Sequence, residues 1–121
     1  MTVLVVDDFE DTRVMLRRML ETHDYRVMEA SDGQEAVEMA QRACPNLILM
    51  DLNMPLVDGL AAATQIRACK GRCRNVPILA MTAFDTYGMK EAALEAGCDD
   101  YITKPIAADD LDRVLHRLTL G

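Results

Sequence analysis

Three short runs constrain this chain more than any other feature. Val3-Leu4-Val5-Val6, Leu47-Ile48-Leu49-Met50 and Ile78-Leu79-Ala80-Met81 are apolar at every position. A strand with one wet face alternates apolar and polar residues. Runs without that alternation are expected to be strands covered on both faces. Two more segments read as strands but carry polar residues: Tyr25–Ala30, with Arg26 and Glu29, and Asp99–Thr103. The five expected strands are therefore Val3–Asp7, Tyr25–Ala30, Leu47–Asp51, Ile78–Thr82 and Asp99–Thr103.

Between and after them the period changes to that of a helix, over 9–22, 33–43, 58–69, 86–96 and 107–119. Phe9, Thr12, Met15, Leu16, Met19 and Leu20 are expected on one face of the first helix, and Leu111, Val114, Leu115 and Leu118 on one face of the last. Gly97 is a stop signal for the fourth. Strands separated by helices imply right-handed βαβ crossovers and a parallel sheet. The fully apolar strands 1, 3 and 4 belong inside, and the polar strands 2 and 5 at the edges. The expected fold is α/β: a doubly wound (βα)5 sheet of order 2-1-3-4-5 in a flavodoxin-like three-layer sandwich. In that order the switch point falls between strands 1 and 3, and ligands bind there, outside the carboxyl ends of the strands.

The chain has 121 residues, half of them hydrophobic, which suits one domain over residues 1–121. It contains no run near the ~20 apolar residues of a membrane span. Its first residues lack the basic flank and long apolar stretch of a signal peptide, so a cytoplasmic location is expected. The net charge of −7 argues against binding to nucleic acid. Arg67, Lys70, Arg72 and Arg74 are a local exception, expected in a solvated surface loop. Cys44, Cys69, Cys73 and Cys98 have neither the spacing nor the histidine partners of a zinc site and are expected as reduced thiols in or near the core.

The chemistry gathers at the strand ends. Strand 1 ends in Asp7-Asp8, strand 3 in Asp51, strand 4 in Thr82 and strand 5 in Thr103-Lys104-Pro105. Carboxylates ~4 Å apart repel by about 4 kcal/mol at an effective dielectric near ~20. Such a set calls for a cation or raised pKa values. Oxygen donors suit Mg²⁺, which keeps several waters and often sits beside phosphate. Asp51 lies at the centre and is the candidate nucleophile, since a carboxylate can attack phosphorus to give an acyl phosphate. Asp7 and Asp8 lie to one side, placed for the ion. Lys104 and the Thr82 hydroxyl are placed for phosphoryl oxygens.

The motifs VLVVDD, LILMDLNMPLVDG, ILAMTA and DYITKP, in this order and spacing, resemble those of the receiver domain of bacterial two-component response regulators. The likeness covers nearly the whole chain, and in length it resembles the single-domain chemotaxis regulators. Members of this family are standard examples of the strand order above, so that order adds no independent support once the family is named. The resemblance implies Asp51 as phospho-acceptor and Mg²⁺, with Mn²⁺ as an alternative, held by Asp8, Asp51, the Asn53 backbone carbonyl and, largely through water, Asp7. It implies that Thr82 and Lys104 bind the phosphoryl group and that Tyr101 is the switch aromatic. It further implies a cis Lys104-Pro105 bond. The donor would be a phosphohistidine on a sensor histidine kinase or phosphotransfer protein. A downstream protein would read the face of helix 4, strand 5 and helix 5, about Thr86 to Leu118. No turnover of an external substrate is expected. Phe84, two residues after Thr82, is expected at the cleft rim, where its ring would shield the acyl phosphate from water.

Three other readings fit less well. An aspartate-nucleophile phosphatase of the haloacid dehalogenase type needs an acid two residues after the nucleophile, where this chain has Asn53. A flavin carrier needs a Ser/Thr/Gly-rich loop after strand 1, where this chain has Asp7-Asp8-Phe9-Glu10-Asp11. An unphosphorylated protein-binding module would not need the complete set of acids, hydroxyl and lysine.

Overall fold

The structure is a computed structural model that describes residues 1–52, 59–69, 71–83 and 88–120. Among the described residues there are five strands: β1 (Thr2–Val6), β2 (Arg26–Ala30), β3 (Leu47–Asp51), β4 (Ile78–Thr82) and β5 (Asp100–Thr103). Five α-helices of the described residues follow them in turn: α1 (Glu10–Glu21), α2 (Gly33–Ala43), α3 (Gly59–Ala68), α4 (Met89–Ala96) and α5 (Ala108–Leu120). All strand pairs are parallel and the order is β2-β1-β3-β4-β5. The expected α/β sheet is therefore the observed one, with its polar strands at the edges.

Alternate residues of each inner strand feed two cores. Leu4, Val6, Ile48, Met50, Ile78 and Ala80 pack under α2, α3 and α4. Val3, Val5, Leu47, Leu49, Leu79 and Met81 pack under α1 and α5. Both faces of β1, β3 and β4 are thus dry, which explains why these strands tolerate no polar residue before their ends. Among the described residues no helix is long and apolar enough to cross a membrane.

Some boundaries move for identifiable reasons. Asp7 lies just past β1, yet its N–H still bonds the Ala30 carbonyl at 3.1 Å. Tyr25 is outside β2 because its N–H closes on Leu20 O at the end of α1. Asp99 lies just before β5, with its N–H on Ile78 O at 2.8 Å and its Oδ2 accepting from Ile78 N and from Arg67. The expected helix starts at 58 and 86 lie outside the described residues. Gly97 does stop α4, at φ 107°. Lys104-Pro105 is cis.

Two expectations about side chains need correction. Phe9 and Met15 are 60% and 42% exposed rather than on the buried face of α1. Phe9 precedes the helix in extended conformation, and the buried stripe runs through Leu16 and Leu20. Arg67 is not in a solvated loop. It lies on α3, bonding Gly97 O, Arg74 O and Asp99 Oδ2, and a short 3₁₀ turn at Arg72–Asn75 follows. Lys70 lies outside the described residues. Cys73 and Cys98 are buried, Cys44 and Cys69 are half-buried, and none of the four forms a disulfide.

Candidate functional site

The parallel sheet brings the carboxyl ends of its inner strands to one edge, and there the acids meet. Asp51 is the last residue of β3 and is 2% exposed. Asp7 is fully buried, whereas Asp8 is exposed. One carboxylate oxygen from each of the three lies within 4.8 Å of the others. Unit charges at that spacing repel by about 3 kcal/mol at an effective dielectric near ~20, less for the exposed Asp8.

Lys104 enters from the far strand. The Lys104 N–H bonds Thr82 O at 2.7 Å, which anchors the segment after β5 to the end of β4. From there its Nζ donates to Asp7 Oδ2 at 2.7 Å and stands 3.4 Å from Asp51 Oδ2. Burial alone would push the Lys104 pKa down; the hydrogen bond to Asp7 and the charges of Asp51 and Asp7 outweigh it and raise it. The lysine is therefore cationic at neutral pH. One ammonium cannot balance three carboxylates, so the site keeps a net negative charge.

That donor set fits a small hard cation. Oxygens bound ~2.1 Å from one ion lie about 3 Å apart when adjacent and about 4 Å when opposite. The observed spread of 4.8 Å needs only a modest contraction.

Every polar atom of Asp7 is used. Its N–H bonds Ala30 O, Oδ1 accepts from Phe9 N at 2.9 Å, Oδ2 accepts from Lys104, and its carbonyl accepts from the Arg13 guanidinium at 2.7 Å. Thr82 ends β4 fully buried. Tyr101 stands opposite Ala80 in the β4–β5 register, half-buried against the core under α2, α3 and α4. Five sequence-derived residues, Asp7, Asp8, Asp51, Thr82 and Lys104, thus sit at one sheet edge, with Tyr101 further down the neighbouring strand. Asn53 and Phe84 lie outside the described residues.

Two contributors escape the sequence reading. Gly59 opens α3 so close to β3 that a Cβ there would lie 2.2 Å from Asp51 O, although the Asp58-Gly59 pair signals only a turn. Arg13 reads as an ordinary helix cation, and nothing local reveals its contact with Asp7.

The sequence model of the response regulator receiver domain matches residues 3–116. Response regulator MprA of Mycobacterium leprae is 41% identical over 111 residues, covering 92% of this chain and 47% of that protein. The chain thus spans about half the length of the curated relatives it matches. Among solved structures, the receiver domain of sensor histidine kinase PA1611 from Pseudomonas aeruginosa, with magnesium coordinated in its active-site cleft, superposes with a TM-score of 0.91. It is 38% identical and the match covers 99% of this chain and 98% of that one. The receiver domain of Saccharomyces cerevisiae Ssk1, solved with the histidine phosphotransfer protein Ypd1, superposes at 0.89. It is 32% identical, over 99% of this chain and 89% of that one.

Proposed function

The chain belongs to the receiver-domain family of response regulators, the phosphorylation-dependent switches of two-component signalling, and on that premise we propose that Asp51 is its phospho-acceptor. The observation that carries this is the ammonium shared between two strand ends. Lys104 Nζ lies within 3.4 Å of Asp51 Oδ2 while hydrogen-bonding Asp7. A lysine held between two carboxylates is placed to turn toward phosphoryl oxygens once Asp51 is phosphorylated.

In the proposed step an Asp51 oxygen attacks the phosphorus of a partner's phosphohistidine. The P–O bond forms as the P–N bond breaks; the imidazole leaves with that electron pair and takes a proton from solvent. Lys104 and the Thr82 hydroxyl then bind phosphoryl oxygens. Asp8, Asp51, the Asn53 backbone carbonyl and, largely through water, Asp7 would hold Mg²⁺, with Mn²⁺ as an alternative. When bound, the ion supplies the positive charge that offsets repulsion between Asp51 and the incoming phosphoryl group. Magnesium in the cleft of the Pseudomonas relative supports a divalent ion at this edge.

The donor is a histidine kinase or phosphotransfer protein, a class supported by the Ssk1–Ypd1 complex. Thr82 moving toward the phosphoryl group draws Tyr101 inward and alters the face of α4, β5 and α5 for a downstream protein. Typical coupling of this kind is worth ~1–3 kcal/mol. Residues 1–121 act as one cytoplasmic receiver domain that turns over no external substrate and binds no nucleic acid.

Incubation with Mg²⁺ and acetyl phosphate tests the assignment. Intact mass should rise by one phosphoryl group in the parent and not at all in Asp51→Asn. Beryllofluoride should shift the amide spectrum of the parent alone. A response that persists in Asp51→Asn refutes the acceptor.

A further inference from the structure

We propose that Arg13 is a positioning residue for the metal site, holding the Asp7–Asp8 peptide so that both acids face one ion. This rests on the reading of Asp7, Asp8 and Asp51 as ligands and adds what orients them. Arg13 shares a stripe of α1 with Leu16, Arg17 and Leu20, at helical spacing. Leu16 and Leu20 are buried in the core, so the stripe faces the sheet. The Arg13 side chain is only 16% exposed. Its NH1 donates to Asp7 O at 2.7 Å, and its Nε donates to Glu29 Oε1 at 3.2 Å. Glu29 is itself braced, since its other oxygen accepts from Arg17 NH1 at 2.7 Å. The guanidinium thus ties the edge strand β2 to the carbonyl of a candidate ligand.

The leverage comes from the peptide plane. A peptide unit is rigid, so fixing its oxygen and its first Cα fixes where the next residue begins. The Asp7 end is held by Ala30, Phe9 and Lys104. Arg13 holds the oxygen of the Asp7–Asp8 unit. Asp8 is exposed, and among the described residues its carboxylate has no hydrogen-bond partner. The backbone alone therefore aims it. Partners that orient ligands typically change metal affinity ~10–100-fold when removed.

Sign separates this role from a charge effect. A guanidinium near a cation site opposes the cation, so if charge were its contribution, Arg13→Met would tighten Mg²⁺ binding. Positioning requires the reverse. Mg²⁺ calorimetry on the unphosphorylated protein at fixed ionic strength makes the test, with thermal melts verifying that each variant is folded. Arg13→Met should weaken the Kd about 10-fold. Arg13→Lys keeps the charge but lacks the fork that spans Asp7 O and Glu29, and should weaken it about 5-fold. The Mg²⁺ concentration for half-maximal phosphorylation by acetyl phosphate should rise in proportion, with a smaller loss at saturating Mg²⁺. A Kd unchanged or tightened in Arg13→Met overturns the proposal, as does parental affinity in Arg13→Lys; the latter variant decides the matter if the former does not fold. A parent protein that binds no Mg²⁺ would instead overturn the metal reading and this role with it.

Discussion

At the amino-terminal end of the strands, Arg67 spreads its guanidinium over Gly97 O, Arg74 O and Asp99 Oδ2, and Asp99 also accepts from Ile78 N. At the carboxyl-terminal end, Lys104 reaches Asp7 and Asp51 while Asp8 stands exposed beside them. Both ends join distant segments through a cation. They differ in what is left over. The first cluster matches one charge with one charge and fills the remaining donors with carbonyls, which fastens α3 to the β4–β5 edge. The second keeps more negative than positive charge, and a fold gains nothing from that surplus by itself. Balanced charge here fastens elements together; unbalanced charge marks a candidate cation site.

Exchanging the two cations is the strongest way to break this contrast. Lys104→Met should slow phosphorylation by acetyl phosphate about 100-fold, the usual scale for losing a group that binds developing charge. Arg67→Met should leave that rate unchanged but lower stability by about 2 kcal/mol, since three hydrogen bonds to a partly buried guanidinium disappear. Phosphate incorporation and urea unfolding read the two effects separately.

The glycines sharpen the same contrast. At Gly59 an added Cβ would press on Asp51 O and Leu52 Cα, both backbone atoms of the site. Gly59→Ala should therefore cost about 2–3 kcal/mol and slow phosphorylation about 10-fold. At Gly97 the Cβ would come 2.5 Å from Arg67 Cγ and 3.1 Å from the Nε that bonds Gly97 O, so the cost is shared between φ 107° and displacing that held side chain. Gly97→Ala should cost about 1–2 kcal/mol and spare the phosphorylation rate.

The balanced end also carries a pH dependence. Burial pushes the Cys98 thiol up to about 11, with Arg67 opposing and Asp99 assisting. A thiol that ionises later in the folded than in the unfolded chain contributes stability below the unfolded value of 9.0, and loses it as pH rises to about 11. Between those limits about 3 kcal/mol should vanish in the parent. Urea midpoints across this range should show a shallower alkaline decline in Cys98→Ala.

Much of this was readable along the chain. Unbroken apolar runs marked β1, β3 and β4 as central because only a strand covered on both faces can afford them. Once the order was known, Asp7, Asp8, Asp51, Thr82 and Lys104 fell on one edge, since parallel strands end together. Arg26 and Glu29 marked β2 as an edge but concealed that Glu29 braces Arg13. Phe9 and Met15 joined the first helix's apolar face by periodicity, yet that helix is narrower and turned toward Leu16 and Leu20.

The sequence by itself therefore determined the alternation of elements, the sheet order and the edge where chemistry gathers. These depend on local period and burial, which each segment carries within it. Only the tertiary structure decided which charges meet. Lys104 finds Asp7 across 97 positions and Arg67 finds Asp99 across 32. A long cationic side chain looks the same in sequence whether it ends in water or on a carbonyl. Its partner is chosen by strand register and helix packing, and those exist only once the chain has folded.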